Sequence, residues 1–134
     1  MTMIIDQLVR PATTHDRTAV QRMIELLARQ NDAAADISDV AKVFVAERAE
    51  AIIGMAAMCK MSASTASLSH LYVLEKFRRQ NVGTSLVHAV IDALPVGTLL
   101  ELSVPTRNTD ARLFYLAVGF QRSEFSQMQM VTSP

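Results

Sequence analysis

The stretch with the clearest chemical potential is the basic turn KFRRQNVGT, residues 76–84, which separates a strand-like run from a helix-like run. Its cations crowd a helix start, where unpaired backbone amides already carry partial positive charge. A bound phosphate would accept hydrogen bonds from successive amides and would be neutralised by the arginines. Gly83 would let the backbone approach that phosphate closely, and Asn81 tolerates a left-handed turn. A solvated basic turn without a ligand is the alternative that the charges leave open.

The beginning of the chain predicts a strand followed by an amphipathic helix. Residues 7–10 indicate a strand closed by Pro11, and Thr13 with Asp16 has the pattern of a capping box that opens a helix. The apolar residues of that helix recur at helical spacing, at Val20, Met23, Ile24 and Leu27. The pattern is typical of a helix that packs on one layer.

The middle of the chain predicts a hairpin and then a third strand. Residues 31–39 show little apolar periodicity and are predicted to be a loop or a single helical turn. Residues 43–46 and 51–60 indicate two strands joined by a polar turn, and residues 68–74 a further strand. That last strand leads directly into the basic turn.

The remainder of the chain alternates helices and strands. The predicted helices are residues 82–94 and 109–118, and the predicted strands are residues 98–104 and a final pair within 120–131. This order predicts an α/β (α+β) fold with a mixed sheet flanked by helices. The strand–helix–strand unit around 82–94 is predicted to be a right-handed parallel crossover.

Composition narrows the class of protein. The 134 residues suit a single domain, 1–134, and 13 basic against 13 acidic side chains argue against a nucleic acid partner. The only cysteine, Cys59, lies in an apolar run and predicts a buried thiol, with no disulfide and no metal site. The sequence shows no signal-peptide pattern and no membrane-length apolar window, so we predict a cytoplasmic protein without membrane contact.

The basic turn and the strand before it resemble the coenzyme A motif of the GNAT superfamily of N-acetyltransferases. That motif commonly reads Q/R-x-x-G-x-G/A after a strand. The matching residues here are Leu71, Tyr72 and Val73 followed by Arg78, Arg79, Gln80, Asn81, Val82 and Gly83. Two positions depart from the pattern, since Asn81 replaces the first glycine and Glu75 a common proline. The departures bear on the affinity for pyrophosphate.

A later segment resembles the same family. There an asparagine precedes a helix that ends in Y-x-x-x-G-F, and this chain has Asn108, Ala111, Phe114, Tyr115, Gly119 and Phe120 in that order. The resemblance implies a GNAT-like fold, with a central, mostly antiparallel sheet of about six to seven strands and a parallel splayed pair. It also implies pairing into a homodimer through the late strands.

The resemblance implies a function and a donor site. The expected reaction transfers an acetyl group from acetyl-CoA to a primary amine of a small molecule or peptide, by direct attack in a ternary complex. The strand at Leu71, Tyr72 and Val73 would pair with the pantetheine arm and acyl-thioester. Residues implied to hold the rest of the donor are Arg78, Arg79, Gln80, Asn81, Val82, Gly83, Thr84, Asn108 and Tyr115. Asn108 could equally serve as a helix cap.

The implied reaction needs an acid and a base. Tyr115 is the candidate acid, because a phenol with a pKa of about 10 is protonated at neutral pH and can donate to the departing thiolate. Glu101 and His70, on strands flanking the expected acyl site, are candidates for the base that takes the ammonium proton. Each of the three residues also has a purely structural interpretation. Tyr115 could be a packed helix residue, and Glu101 and His70 could be ordinary polar residues of strands.

Two other functions remain open from the sequence. The first is a catalytically inactive coenzyme A-binding module that regulates or binds a partner, which the Asn81 and Glu75 departures favour. The second is an unrelated small phosphate-binding α/β protein, which would have no use for a pantetheine arm. Tyr115 and Asn108, both in register, favour the enzyme.

Overall fold

The computed structural model describes residues 7–31, 37, 40–123 and 127–133. The strands are β1 Gln7–Pro11, β2 Lys42–Arg48, β3 Ala51–Lys60, β4 Thr65–Val73, β5 Leu99–Ser103, β6 Gln121–Arg122 and β7 Gln127–Val131. The helices are α1 Arg17–Asn31, α2 Val82–Asp92 and α3 Thr109–Val118. Short 3-10 turns cover Thr14–Asp16 and Glu75–Phe77.

Within these described ranges, seven strands form one sheet in the order β1-β2-β3-β4-β5-β7-β6. The neighbours β4 and β5 are parallel, and every other neighbouring pair is antiparallel. The predicted mixed sheet is therefore confirmed. The parallel pair is joined through α2, because parallel strands need a crossover connection.

Helix α1 covers one face of the sheet with the apolar stripe that the sequence predicts. Val20, Met23 and Ile24 are buried and cluster with Met55 and Ala57 of β3. Burial of this stripe removes its apolar side chains from water, which is the main favourable term in packing a helix on a sheet. Tyr72 of β4 packs at the margin of the same cluster.

Helices α2 and α3 lie on the opposite face. Leu86, Val87 and Val90 of α2 are completely buried against that side of the sheet, together with Leu100 of β5. Helix α3 packs at the edge of this cluster, where Phe114, Tyr115 and Val118 are only partly buried. The margin occupied by α3 is where a cleft remains.

The parallel strands β4 and β5 are paired over a short length and then diverge. Their register pairs Thr65 with Leu99, Ala66 with Leu100 and Ser67 with Glu101. Beyond this point β4 runs on to Val73, and within the described residues its edge on that side has no strand partner. The predicted splayed pair is thus present, and it leaves backbone groups of β4 available.

The ends of several elements differ from the sequence prediction. Strand β4 begins before residue 68, because a turn closed by Thr65 brings the polar start of the strand into the sheet. In this turn Met61 N–H donates to the Thr65 carbonyl at 2.9 Å, and Ser62 Oγ accepts from Thr65 N–H at 3.1 Å. The predicted helix 82–94 ends at Asp92. The strand pair within 120–131 resolves into β6 and β7, and residues 31–39 lie mostly outside the described part.

An ion pair anchors the entry to α1. Asp16 accepts from the Thr13 amide at 2.8 Å, as the capping-box pattern predicts, and from both Nη atoms of Arg10 at 2.7 and 3.0 Å. Arg10 also donates to Glu47 at 2.7 Å. The hydrogen bonds from Arg10 lower the pKa of Asp16 far below its usual range, and they raise the pKa of Arg10.

Cys59 is half-buried, so the prediction of a buried thiol is wrong in this respect. Its position near the end of β3 explains the exposure, because the cluster around α1 reaches only the earlier residues Met55 and Ala57. In the described ranges, no helix has the length and apolar character needed to cross a membrane. Over the same residues, no group of three His, Cys, Asp or Glu side chains is arranged to hold a metal ion.

Candidate functional site

A cleft of about 970 Å³ opens between the free end of β4, the basic turn and α3. Most residues singled out in the sequence line it, namely Leu71, Tyr72, Val73, Arg78, Arg79, Asn81, Val82, Gly83, Thr84, Asn108 and Tyr115. The structure thus brings together two segments that are remote in sequence. The basic turn supplies one end of the cleft, and α3 supplies one wall.

The free edge of β4 presents backbone groups of Leu71 and Val73 to the cleft. Leu74 N–H donates to the Ile53 carbonyl at 2.9 Å, so this pair is hydrogen-bonded between β4 and β3. Hydrogen-bonded and non-hydrogen-bonded pairs alternate along antiparallel strands. Val73 and Leu71 therefore point their N–H and C=O groups away from β3, whereas the backbone of Tyr72 bonds to β3.

The start of α2 supplies three further amides. Asn81 is the N-cap, and the first hydrogen bond of the helix runs from Ser85 N–H to the Asn81 carbonyl at 3.0 Å. The N–H groups of Val82, Gly83 and Thr84 precede that bond, so they have no partner within the helix. All three residues line the cleft. Their aligned dipoles favour an anion there.

Asn81 has a left-handed backbone, with φ 65° and ψ 14°. Asparagine is one of the few residues other than glycine that adopt this conformation routinely. The departure from the family's first glycine is therefore compatible with the turn. Arg79 has φ 65° as well, so the turn contains two residues in a strained region.

Gly83 is needed for helix packing as well as for a backbone that a phosphate could approach closely. A Cβ atom at this position would lie 3.1 Å from Cζ of Phe114, closer than an ordinary van der Waals contact. The absence of a side chain lets α3 approach α2, and this approach forms one side of the cleft. This packing role comes in addition to the phosphate contact that the motif predicts for Gly83.

Arg78 spans the mouth of the cleft. Its Nε donates to the Val73 carbonyl at 2.9 Å, and its Nη2 donates to Gln30 of α1 at 3.3 Å. The guanidinium carbon lies 5.2 Å from the centre of the Tyr72 ring, within range of a cation–π interaction. Arg78 therefore places positive charge next to the free edge of β4.

Helix α3 positions the two residues of the second motif. The Asn108 side chain accepts from Ala111 N–H at 3.2 Å and caps the helix. The Tyr115 ring makes edge-to-face contacts with Phe114 at 5.2 Å and Phe120 at 5.5 Å between centroids. Burial raises the pKa of the Tyr115 phenol, so the hydroxyl keeps its proton at neutral pH.

Three predicted site residues lie apart from the cleft lining. Gln80 turns its side chain toward Arg48, with 2.7 Å between Arg48 Nη1 and Gln80 Oε1. His70 pairs with Ala57 in the sheet register and lies 2.9 Å, Nδ1 to Oγ, from Ser69. Glu101 alternates with the buried Leu100 and Leu102 and therefore faces away from α2, on the side of the sheet that α1 covers.

The cleft is also lined by residues that are not among the predicted site residues. They are Leu27 and Gln30 of α1, Glu75 and Phe77 in the 3-10 turn, and Asp110, Ala111, Leu113 and Phe114 of α3. No sequence motif marks Leu27 and Gln30 as site residues, because they reach the cleft only through the docking of α1 on β4. Phe114 could have been identified, since it stands beside Tyr115 in the later motif.

Comparison with known families agrees with this geometry. A family model described as "Acetyltransferase (GNAT) domain" matches residues 39–122. The chain therefore belongs to the GNAT family of acetyltransferases, whose fold supports acyl transfer. A search among curated proteins found no match.

Solved structures share the fold at low sequence identity. The ribosomal-protein-S18-alanine N-acetyltransferase from Escherichia coli has a TM-score of 0.76 and 17% identity over 96% of both chains. A GNAT family acetyltransferase from Staphylococcus aureus Mu50 has a TM-score of 0.76 and 12% identity, over 96% of this chain and 100% of that one. A third, a GNAT family acetyltransferase from Elizabethkingia anophelis with acetyl-CoA bound, has a TM-score of 0.72 and 16% identity, over 95% of this chain and 97% of that one.

Proposed function

We propose that this protein is an acetyl-CoA-dependent N-acetyltransferase that acetylates a primary amine of a small molecule or peptide. The observation that carries the proposal is the alignment, in one cleft, of the free edge of β4 with the first amides of α2. A strand edge suits the amide-containing pantetheine arm, and a helix start suits a pyrophosphate. An extended ligand with both features would engage both ends of the cleft.

The donor site is assigned to the residues that line this cleft. The amides of Val82, Gly83 and Thr84 would bind the pyrophosphate, and Arg78 and Arg79 would offset its charge. Leu71 would bond the pantetheine arm through its backbone, and Val73 through its N–H, since the Val73 carbonyl accepts from Arg78. The side-chain oxygen of Asn108 caps α3 at the wall of the cleft, and the side chain would contact the arm there, as the family resemblance implies. The solved structure of an acetyltransferase of the same fold with acetyl-CoA bound supports acetyl-CoA as the ligand.

The proposed chemistry is direct transfer in a ternary complex. The amine nitrogen attacks the thioester carbonyl carbon, the carbon–sulfur bond breaks, and the electron pair leaves on sulfur. Tyr115 donates its phenolic proton to that sulfur, and the proton that the attacking nitrogen loses as the amide forms returns to the phenolate, directly or through water. The net change is one proton moved from nitrogen to sulfur, and the raised pKa keeps the restored phenol protonated before the next turnover. A free backbone N–H of β4 would stabilise the negative charge that develops on the carbonyl oxygen.

The acceptor would approach from the side of the sheet that α1 covers. Glu101 pairs with Ser67 at the last register position before β4 and β5 diverge, and Gln129 of β7 lies next to Glu101 on the other side. These side chains form a polar row on one face. We assign Glu101 to holding or deprotonating the ammonium group, ahead of His70, because Glu101 lies where the strands part.

Calorimetric titration with acetyl-CoA, with ADP as the control, tests the donor assignment. ADP lacks the pantetheine arm and acyl group, so it reports only on the phosphate end. Binding of acetyl-CoA with much weaker binding of ADP would support the proposal, and no binding in a folded sample would contradict it.

A panel of amines, assayed by release of free thiol, then tests catalysis. Binding without turnover across the panel would favour the inactive coenzyme A-binding module.

We further propose a single catalytic domain over residues 1–134, a cytoplasmic location and a homodimer. The shared sheet, which includes every described strand, supports one domain. The edge of β7 supports the dimer, because β6 covers only Met128 and Gln129 while Val131 is 60% exposed. Sedimentation equilibrium would measure the dimer directly, and a monomer at micromolar concentration would exclude it.

A further inference from the structure

Arg48, the last residue of β2, contacts the basic turn although it lies outside the coenzyme A motif in the sequence. Its Nη1 donates to Gln80 Oε1 at 2.7 Å, and its Nη2 donates to Gln7 Oε1 at 3.1 Å. Its guanidinium carbon lies 5.3 Å from the centre of the Phe77 ring. The side chain thus contacts the turn at two places, one polar and one aromatic.

The backbone of Arg48 is held on both sides. It pairs with Gln7 of β1 and with Ala51 of β3. The tight turn that follows consists of Ala49 and Glu50, with φ of 51° and 65°, which is typical of a two-residue hairpin connection. Arg48 therefore extends from a fixed point in the sheet.

The residue that Arg48 holds lies between the two strained residues of the turn. Gln80 separates Arg79 and Asn81, each with φ 65°. Its side chain is fixed at both ends, because Oε1 accepts from Arg48 and Nε2 donates to the Lys76 carbonyl at 3.2 Å. Strained backbone persists where the surrounding structure determines it, and the bonds of Gln80 supply that restraint.

We propose that Arg48 is a positioning residue for the acyl donor. By holding Gln80 and Phe77, it keeps the turn in the conformation in which the first amides of α2 face the cleft. Arg48 does not line the cleft, so it acts through the turn and not on the donor. The inference rests on the proposed function, because it assigns the turn to binding acetyl-CoA.

Replacement of Arg48 by methionine tests the inference. Methionine keeps an unbranched stem and removes every donor, so Gln80 loses its bond from Arg48 and keeps only the bond to the Lys76 carbonyl. We expect the KM and Kd for acetyl-CoA to rise about tenfold, as for the loss of one charged hydrogen bond, with kcat changed less than about twofold. Arg48→Lys, which retains the positive charge and a single donor nitrogen, should recover part of the affinity. Gln80→Leu, at an exposed position, should reproduce the loss without endangering the fold, and adding Arg48→Met should cost little more.

Arg10→Met provides a matched control. Arg10 is also a sheet arginine, and it bonds Glu47, the neighbour of Arg48. Its other hydrogen bonds go to Pro11 and Asp16, on the side away from the turn in sequence. We expect this variant to lose stability while the KM for acetyl-CoA stays the same. An unchanged KM in both Arg48→Met and Gln80→Leu would overturn the inference, and so would an equal rise in KM in Arg10→Met.

Hydrogen exchange without acetyl-CoA separates this inference from the proposed function. In Arg48→Met the amides of residues 76–84 should exchange faster than in the wild type, while those of β3 should not change. Unchanged exchange at 76–84 would contradict the restraint itself. If the wild type fails to bind acetyl-CoA but exchange increases as expected, the proposed function fails and the restraint stands.

Discussion

Gly83 and Phe114 are in such close contact that a Cβ atom on the glycine would lie 3.1 Å from the phenylalanine ring. The contact joins the two halves of the candidate site, since Gly83 belongs to the first turn of α2 and Phe114 precedes Tyr115 on α3. The width of the cleft is therefore set in part by the absence of a side chain at Gly83.

Gly83→Ala should destabilise the protein despite the better helix propensity of alanine. The added methyl group forces Phe114 to shift, and overpacking of this kind costs roughly 1–3 kcal/mol against a propensity gain of up to about 1 kcal/mol. We expect a net loss of about 1 kcal/mol in the free energy of unfolding in urea. In a Phe114→Leu background the same change should cost less, and equal costs in both backgrounds would refute the contact.

The left-handed backbone of Asn81 predicts how that position tolerates substitution. Asn81→Gly should leave the stability unchanged or raise it slightly, whereas Asn81→Ala should lower it by roughly 1 kcal/mol, because a Cβ atom without a compensating polar group is disfavoured there. Thermal unfolding measures both. Titration with acetyl-CoA should show weaker binding for alanine than for glycine, and the reverse order would contradict the assigned backbone.

Tyr115→Phe tests the proton donor. The change removes the hydroxyl and keeps the aromatic contacts, so kcat should fall by about a hundredfold while the Kd for acetyl-CoA stays the same. Because burial raises the pKa of the phenol above its usual value of about 10, the acid form persists and the wild type should lose no activity through Tyr115 below pH 10. Unchanged turnover of the variant with a good acceptor would remove Tyr115 from the acid role.

The Arg10–Asp16 ion pair predicts acid sensitivity. The pKa of Asp16 is lower in the folded protein than its unfolded value of about 3.9, so its contribution to stability is present above that pH and is lost as the pH falls through the lower folded value. Asp16→Asn should lower the free energy of unfolding at pH 7 by about 1–3 kcal/mol. The difference from the wild type should shrink between pH 5 and pH 2, and a constant difference would contradict the assigned cause.

The fold could be predicted from the sequence to a large extent, because periodicity and turn residues are local signals. The apolar stripe of α1 and the span of α3 are confirmed, and so is the parallel pair around α2. Strand β4 was predicted to start too late, since Thr65 is polar and enters the sheet only through its pairing with Leu99. Polar residues at strand ends carry little signal of their own.

The sequence by itself determined the family, and it identified the strand, turn and helix that carry the two motifs of the cleft, because those properties follow from residue identity and spacing. Only the tertiary structure decided which groups meet. It turned the side chain of Gln80 toward Arg48, pointed the backbone groups of Leu71 and Val73 toward the cleft, and placed Glu101 on the opposite face from α2. Such contacts join residues far apart in the chain, and strand register and helix docking determine which contacts form.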